Sequence, residues 1–408
     1  MAAAVMGSRP LPHDALVKVL VRLPYKTLAC FRVVCKEWNA LITSKSFYLQ
    51  ILSVENAQQK PFLLRILPHD FSQVMAYNPT RMEWRSLCLA FLEPIFKSQR
   101  LVATGGGLLC FYGTVNDGAE EEDSSADNKK MSRLLVCNPI TKSWGILPHL
   151  EEALSLDDAK AKVLAFDETS KSFKLFLADV QHGDNDSGVI FAHVYNSATH
   201  SWTTTSTAME QRYTITDDNE DGVLVNGSVH WTTSRMWRVG DRQGHTAGMS
   251  FDIQSLNSKT FANFHIPYGG HFRFFHGAPP GGVPKLLELQ GQLSIVVHDR
   301  LLANSQLVFQ QDTKGEWEVI KILPPDSSLT TTGSAATVSR YRCLGQGEFL
   351  FFTGAVSDDD GSSLISYNLL ETAWRSIVNP PPGGGGGGDG GSGGSGTFSV
   401  FHPSLHVV

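Results

Sequence analysis

The 408-residue sequence predicts two parts, a small all-α head followed by an all-β propeller. Three observations predict this fold class. Apolar residues near the N-terminus recur at the three- and four-residue steps of helices. From residue 62 onward, a short phrase ending in a large aromatic residue recurs at intervals of 60, 58, 59, 56 and 57 residues, which is typical of a repeat architecture. Turn signals such as Asn226 and Gly227 separate apolar segments of strand length.

The head contains two stretches that predict helices. The first starts near His13 or Asp14, runs to residue 23 and ends at Pro24, with Leu16, Val19, Leu20 and Leu23 on one face. The second covers residues 28–42, LACFRVVCKEWNALI, with the apolar stripe Leu28, Phe31, Val34, Cys35, Trp38, Leu41 and Ile42. A head of about forty residues cannot bury this much apolar surface alone, so we expect a partner protein to cover part of it. The alternative is that the helices pack onto the propeller and contact nothing else.

The repeated phrase predicts the strands of the propeller. Its copies are YNPTRMEW, CNPITKSW, YNSATHSW, FDIQSLNSKTF, QQDTKGEW and YNLLETAW, ending at Trp84, Trp144, Trp202, Phe261, Trp317 and Trp374. In each copy a strand ends, Asn, Asp or Pro turns the chain, and the aromatic residue opens the next strand. A second hairpin precedes most copies, so one unit has four strands, and such units arranged in a ring form a propeller.

The first unit lacks one strand. The C-terminal segment TFSVFHPSL, beginning at Thr397, is a strand without a unit. We predict that it completes the first blade and closes a ring of six four-stranded blades, with seven blades as the alternative.

The remaining segments predict the boundaries of the parts. We expect a disordered arm over 1–10, the head over 11–50, a linker over 51–61 and the propeller over 62–408. Within the propeller, the Gly-rich stretch 380–396 predicts a disordered loop, and the closing strand covers 397–405. Residues 44–61 predict a helical connector. The acidic stretches 120–127, 217–221 and 357–363 predict solvated loops.

Charge and cysteine content exclude several classes of function. Residues 1–50 carry seven Lys and Arg against two Asp and Glu, a net charge of +5. Because the whole chain has a net charge of −6, the remaining residues carry −11. The basic residues are too few and too scattered for a nucleic-acid surface. The sequence has no membrane-spanning run and no leader, so we expect the nucleus or the cytoplasm and no membrane association. The six cysteines contain no C-x-x-C pair and predict reduced core residues.

Two motifs resemble metal sites but fail on their chemistry. Asp217, Asn219, Asp221 and Gly222 match a calcium loop, yet its twelfth position is Ser228 and not Glu. His265, His271 and His276 lie close in sequence among Phe residues without a carboxylate that would complete a metal site, which favours strand packing or an aromatic loop that contacts a partner. No nucleophile elbow, phosphate loop or spaced carboxylate pair is present, so the sequence predicts no cofactor, no bound metal and no enzymatic activity of its own.

The head and the propeller both resemble a known family. Three features of the head resemble the F-box: the pair Leu11 and Pro12, a second Leu-Pro at residues 23–24, and the group Val34, Cys35, Lys36 and Trp38. The remainder resembles plant F-box/kelch-repeat proteins in NPITKSW, GGGLLCF and FHPSL. Kelch repeats carry a Gly-Gly doublet in most blades, and among the hairpin turns that precede the phrase only residues 105–107 offer one here, which leaves the blade count open between six and seven.

The resemblance implies a function. An F-box docks on a Skp-family adaptor, which connects it to a cullin and a RING subunit, so the chain would be the substrate receptor of an SCF-type (Skp–cullin–F-box) ubiquitin ligase. By matching position, the residues facing the adaptor would be Leu11, Pro12, Leu16, Leu20, Leu23, Pro24, Leu28, Cys35 and Trp38. Phe31 and Val34 would either join them or pack between the helices of the head.

The propeller would then bind a target protein through loops at one rim. The candidate target-binding residues are His271, Arg273, Phe274, Arg340 and Arg342. Two other functions remain open: a propeller enzyme of the oxidase or hydrolase kind, and a non-degradative scaffold or transcriptional co-regulator that keeps an F-box.

Overall fold

The computed structural model describes most of the head and the strands of the propeller with their tight turns. The described residues are 12–23, 25–44, 46–47, 50, 62–66, 74–115, 132–150, 159, 161–167, 169–182, 188–209, 213–215, 222–235, 246–254, 261–265, 285–299, 305–312, 314–323, 342–353, 364–378, 397–401, 404 and 408. In this part of the chain, the helices are too short or too polar to cross a bilayer.

The head consists of three short helices, α1 (His13–Leu20), α2 (Tyr25–Phe31) and α3 (Lys36–Ile42). The single helix predicted over 28–42 is therefore wrong, because the chain leaves the helix after α2. Val33 and Val34 form the break, and their β-branched side chains favour it. Cys35 is extended (φ −156°, ψ 164°), and its Sγ accepts the backbone N–H of Trp38 at 3.4 Å, which caps α3. α1 also ends three residues earlier than predicted.

The propeller has six blades in the described residues, which confirms the predicted count and excludes seven. The first three blades contain these strands: β1 (Phe62–Ile66), β2 (Val74–Asn78) and β3 (Glu83–Leu87); β4 (Phe96–Gly105), β5 (Leu108–Val115), β6 (Ser132–Asn138) and β7 (Ser143–Ile146); β8 (Ala161–Asp167), β9 (Ser172–His182), β10 (Gly188–Asn196) and β11 (Ser201–Met209). A short 3₁₀ helix, Ala90–Leu92, connects the first two blades.

The other three blades and the closing strand follow the same plan. Their strands are β12 (Tyr213–Ile215), β13 (Val223–Val225), β14 (Ser228–Arg235), β15 (Thr246–Asp252) and β16 (Phe261–His265); β17 (Lys285–Leu289), β18 (Gln292–Asp299), β19 (Ser305–Gln311) and β20 (Trp317–Leu323); β21 (Arg342–Gln346), β22 (Phe349–Thr353), β23 (Leu364–Asn368) and β24 (Ala373–Ile377); and finally β25 (Thr397–Phe401). β12 and β13 share the inner edge of β14, which makes the fourth blade five-stranded.

The ring closes as predicted. β25 pairs antiparallel with β1 from Phe62↔Phe401 to Ile66↔Thr397 and completes the first blade. The chain then continues to the second blade, where the hydroxyl of Ser404 donates to the carbonyl of Gly106 at 2.8 Å. The side-chain amide of Asn138 donates to the carbonyl of Ser404 at 3.1 Å, so the segment after β25 joins the first blade to its neighbour.

The repeated phrase forms the turn between the third and fourth strands of each blade. Asn78 Oδ1 accepts the backbone N–H groups of Thr80 (2.9 Å) and Arg81 (3.1 Å). Equivalent side-chain oxygens accept backbone N–H groups in the other copies, at Asn138, Asn196, Asp252, Asp312 and Asn368. This contact explains why the phrase requires Asn or Asp.

The aromatic residue of the phrase connects neighbouring blades. Trp84 packs across the strand pair against Tyr77, with ring centroids 5.3 Å apart, and its indole Nε1–H donates to the carbonyl of Val378 in the sixth blade at 2.7 Å. Trp202 makes the same kind of contact with the carbonyl of Pro148, at 3.0 Å, in the second blade. The phrase therefore contributes both a turn and a contact between blades.

Residues 105–107 form a tight turn, and close packing requires glycine there. A Cβ at Gly105 would lie 1.7 Å from the carbonyl oxygen of Leu164, and one at Gly107 would lie 2.1 Å from Oγ of Ser404. The second blade thus approaches both the third blade and the chain that closes the ring at this turn.

The cysteines differ in part from the prediction. All six are free, as expected, but Cys30 and Cys88 are exposed and Cys35 is half-buried, so three of the six are not core residues. Burial raises the pKa of the other three thiols, Cys110, Cys137 and Cys343. The predicted acidic loops, the predicted disordered segments and most of the connector over 44–61 lie outside the described residues.

Candidate functional site

The head has a small core of its own, made by all three helices and the residues that follow them. Leu20 of α1 (1% exposed), Leu28 of α2 (0%) and Ile42 of α3 (2%) pack together with Phe47 (1%). Leu20 and Leu28 were expected on the surface that faces an adaptor. Instead, both are covered by the head, because their apolar side chains are what three short helices have available to hold each other together.

The half-buried residues lie around this core. Leu16, Leu23 and Trp38 pack against it and keep part of their surface accessible. Trp38 contacts Phe31 edge to face, with centroids 5.1 Å apart and an interplanar angle of 66°. This contact agrees with the alternative in which Phe31 packs between the helices. Trp38 is therefore shared between the core and the surface.

The remaining predicted adaptor residues have varied positions. Pro12 is exposed at the N-terminus of α1, and Cys35 is half-buried as the cap of α3. Leu11 and Pro24 lie outside the described residues. The contact of any of these residues with an adaptor stays a prediction.

Three apolar side chains of the head are exposed, namely Val19 (53%), Val33 (87%) and Val34 (60%). Val33 was not predicted as a site residue, since the helical spacing of residues 28–42 placed it off the apolar stripe. The two adjacent β-branched residues were the signal for a break in the helix that would expose both. Val33 and Val34 are adjacent in the sequence, so together they place two apolar side chains on the surface at this turn.

Electrostatic contacts fix the turn that carries these valines. Arg32 Nε donates to Oδ1 of Asn39 at 3.0 Å, which connects the end of α2 to α3. A hydrogen bond from its own backbone N–H and one from the side chain of Cys35 hold the pKa of Glu37 below its usual range, although the carboxylate is fully exposed. Both contacts stabilise the start of α3.

The head contacts the propeller through two turns. Ile140, in the turn between β6 and β7, packs against the head's core, and Nζ of Lys171, in the turn between β8 and β9, donates to the carbonyl of Thr43 at 2.7 Å. These contacts leave Val19, Val33 and Val34 exposed. In the part of the chain that the structure describes, the propeller therefore covers the head only in part and leaves these three valines uncovered.

The two faces of the ring differ. Counting strands outward from the ring axis, antiparallel pairing places the first–second and third–fourth turns of every blade on one face, which we call the head face because Ile140 and Lys171 lie there. The opposite face is the far face. The longest connections between strands, residues 116–131, 266–284, 324–341 and 378–396, join strand ends on the far face.

The predicted target-binding residues belong to these connections. His271, Arg273, Phe274 and Arg340 lie outside the described residues, in connections that begin and end at the far face. Arg342 is the first residue of β21, at the same face. The structure thus places only the flanking strand ends and Arg342 on the far face, and contact of the five residues with a target stays a prediction.

Most residues of the motifs that resemble metal sites lie outside the described residues. Asp217, Asn219 and Asp221 are not among the described residues, nor are His271 and His276, and His265 is described only as part of β16. Within the described ranges, no group of three or more His, Cys, Asp or Glu side chains lies close enough to hold a metal ion.

Comparison with known proteins identifies both parts. The model of the F-box domain matches residues 10–50, and the model of the F-box associated beta propeller domain matches residues 126–306. An F-box/kelch-repeat protein of Arabidopsis thaliana is 27% identical over 202 residues, which is 48% of this chain and 45% of the relative. SKP1-interacting partner 15 of the same plant is 30% identical over 161 residues, which is 36% of this chain and 39% of that relative.

These matches cover half or less of each relative. A second F-box/kelch-repeat protein of Arabidopsis thaliana is 25% identical over 56% of this chain and 50% of its own length. The F-box match coincides with the three-helix head, and the propeller match falls within the six-bladed ring. The chain therefore combines an F-box domain with an F-box-associated β-propeller, and its relatives include the F-box/kelch-repeat proteins of Arabidopsis.

Proposed function

We propose that this chain is the substrate-receptor subunit of an SCF-type E3 ubiquitin ligase, working in the nucleus or the cytoplasm. The F-box binds a Skp-family adaptor and through it a cullin and a RING subunit, and the propeller binds a target protein. The observation that carries the proposal is a head that matches the F-box domain and keeps Val33 and Val34 exposed and Trp38 half-buried. The printed name of one relative, SKP1-interacting partner 15, supports the choice of partner.

The proposed mechanism requires no catalytic residue in this chain. The receptor raises the local concentration of the target's lysines near the activated ubiquitin, which is catalysis by proximity. Two contacts with the propeller, through Ile140 and Lys171, hold the F-box on the head face. A target bound at the far face would approach from the side away from the adaptor, where the long connections can contact it.

Specific residues of the head form the proposed adaptor interface. Val33, Val34 and the accessible part of Trp38 form the apolar contacts, and Leu20 and Leu28 act indirectly by holding the helices together. Full burial of one large apolar side chain contributes roughly 1.5–3 kcal/mol, so several such contacts are needed to offset the association cost of about 4–15 kcal/mol. The basic character of residues 1–50 would favour encounter with an acidic adaptor surface.

Reconstitution tests the proposal. The full chain is combined with a Skp-family adaptor, a cullin–RING subunit and a ubiquitin-conjugating enzyme, and ubiquitin chains are measured on proteins that co-purify with the propeller. We expect chains with the wild type and none with a variant lacking residues 11–50. Adaptor binding without ubiquitin transfer to any co-purified protein would instead support the non-degradative scaffold, and no adaptor binding would refute the proposal.

A further inference from the structure

The outer edge of the third blade is formed by β11. The strand order of this blade is β8, β9, β10 and β11 from the axis outward, so β11 pairs with β10 alone. It has nine residues, whereas the outer strands of the other blades, β3, β7, β16, β20 and β24, have four to seven. Propellers normally leave only short, protected edges at their rim. The third blade therefore presents a longer edge than the rest of the ring.

The outer strands of other blades carry features that hinder pairing with another chain. In β20, a bulge leaves Ile320 without a partner residue on β19. On β3, Glu83 and Arg85 form an exposed ion pair. On β24, Arg375 forms an ion pair with Glu371 of the preceding turn. Bulges and charged side chains both prevent a further strand from adding to an edge, so these three edges are protected.

β11 has neither kind of protection. Its sequence, SWTTTSTAM over residues 201–209, contains no charged residue, proline or glycine. Its register with β10 continues without a bulge from Asn196↔Ser201 to Gly188↔Met209. Each residue from 201 to 208 is half-buried or exposed. Threonine favours extended backbone, so β11 is a regular and accessible edge that is suited to pairing.

The backbone of β11 directs hydrogen-bonding groups away from its blade. The backbone N–H of Ser197 donates to the carbonyl of Phe173 at 2.9 Å, which sets the alternation of bonds between β9 and β10 and, through it, between β10 and β11. This alternation points the backbone groups of residues 202, 204, 206 and 208 away from β10. In the described part of the chain, none of these groups bonds to another element. They are therefore available to a further strand.

Side-chain contacts hold β11 in its extended form. Oγ1 of Thr204 lies 2.9 Å from Nδ1 of His193 on β10, within hydrogen-bond distance. The indole of Trp202 donates to the carbonyl of Pro148 in the second blade. A strand that is already ordered loses little conformational entropy when it pairs. The edge is thus in its binding conformation before a partner arrives.

The sequence of β11 is complementary to a second copy of itself. In an antiparallel pair centred on Thr205, Thr204 would face Ser206 of the second copy, and Thr203 would face its Thr207. Thr204 and Ser206 both direct their backbone groups outward, so they would exchange two backbone hydrogen bonds. Pairs of Thr and Ser stabilise antiparallel strands, and no like charges would meet in this pair.

We propose that two copies of this chain form a twofold dimer by antiparallel pairing of β11 with β11. The pairing joins the two third blades into one continuous sheet and uses the same surface of both copies. Because β11 lies at the rim of the ring, the head face and the far face of both propellers stay accessible in the dimer. The dimer does not depend on the F-box or on ubiquitin transfer, and it would carry two F-box heads.

Sedimentation velocity of the full chain at concentrations from about 1 to 100 μM tests the proposal. We expect the wild type to shift from the mass of one chain to twice that mass as the concentration rises. Ser206→Pro removes an outward N–H and keeps the bonds to β10, so it should raise the Kd of the dimer by about tenfold or more. Ser206→Ala is the matched control and should dimerise like the wild type. A wild type that stays monomeric, or equal Kd values for these two variants, would overturn the proposal.

A charge-exchange experiment tests the same pairing without proline. In a pair centred on Thr205, the two copies of residue 206 are diagonal neighbours, within reach of long side chains. Ser206→Lys and Ser206→Glu should each raise the Kd of the dimer by about tenfold or more, because like charges meet. An equimolar mixture of the two variants should recover dimers, since opposite charges then meet. A mixture that stays as monomeric as its components would overturn the antiparallel pairing.

Two further measurements separate this dimer from other associations. Val34→Asp should dimerise like the wild type, because Val34 lies on the head; a dimer that this variant loses and Ser206→Lys keeps would overturn the proposal. An acetylated peptide with the sequence of residues 201–209 should compete with the dimer and release single chains. Binding of this peptide to a chain that is monomeric on its own would assign the edge to extended segments of other proteins, and would overturn the second copy as its partner.

Discussion

The closing strand offers a sharp test of how the ring is held together. Phe401 at the end of β25 is 1% exposed and packs in the cluster between the first two blades, with Leu64, Phe96 and Phe111. Phe398, three residues earlier on the same strand, is half-buried against the cluster on the other side. The two phenylalanines therefore share a strand and differ in burial.

Removal of Phe401 should open the ring. A fully buried Phe→Ala substitution costs about 3–5 kcal/mol, from lost transfer free energy and from the cavity that remains. We expect Phe401→Ala to lower the free energy of unfolding by that amount, and Phe398→Ala by roughly half as much or less, because Phe398 already keeps part of its surface in water.

Urea unfolding followed by tryptophan fluorescence measures the difference, since Trp84 and Trp202 both contact neighbouring blades. Limited proteolysis should also show faster cleavage before residue 397 in the Phe401→Ala chain than in the wild type. A loss below about 1 kcal/mol for Phe401→Ala, or equal losses for the two variants, would refute the account of ring closure by β25.

Three further predictions concern single positions in the propeller. Thr372 has φ +53°, a strained value for a β-branched residue, so Thr372→Gly should raise the free energy of unfolding by about 1 kcal/mol in urea titrations; a decrease would contradict this interpretation. Trp84→Phe removes the hydrogen bond to Val378 and should cost about 1 kcal/mol in the same assay, with an unchanged value as the contrary result. Burial lowers the pKa of His230 to about 4, below its unfolded value of about 6.5. Its neutral imidazole therefore contributes to the free energy of unfolding above pH 6.5, and this contribution is lost as the pH falls from about 6.5 to about 4. Over this pH range, unfolding midpoints of the wild type should fall more steeply than those of His230→Gln.

The repeat and the ring could be predicted from sequence because their determinants are local. An Asx turn needs one Asn or Asp and the next few backbone N–H groups, and an aromatic pair such as Tyr77 and Trp84 needs one hairpin. Each copy of the phrase carries an Asn or Asp at the turn and ends in a large aromatic residue, so the six blades were visible in the spacing. The closing strand followed because the first blade was one strand short.

The head was harder to predict, because its apolar spacing continues through the break in the helix. Leu28, Trp38 and Ile42 fit one helical stripe although they lie on two helices separated by residues 32–35. Cysteine is not a usual N-cap, so no capping signal marked the start of α3. The packing of the three short helices then decides which apolar residues are covered and which are exposed. The spacing of apolar residues in the sequence does not determine that packing.

The cavity on the axis of the propeller, which the innermost strand of every blade lines, could not be predicted from sequence for a related reason. Lys162 and Lys285 are 123 positions apart in the sequence, and only closure of the ring places both at the same end of the cavity. On separate strands, each lysine is typical of a solvent-exposed strand end. Long-range geometry decides their surroundings, and a single sequence does not contain it.

The affinity of the head for a purified Skp-family adaptor tests the central claim most directly. Val34→Asp places a charge on an exposed side chain outside the head's core, and Val319→Asp, 50% exposed in β20, is the matched control on the propeller. The account predicts that Val34→Asp weakens the adaptor's binding by about tenfold or more while Val319→Asp leaves it at the wild-type value. Equal affinities for all three chains, or no binding by the wild type, would contradict it.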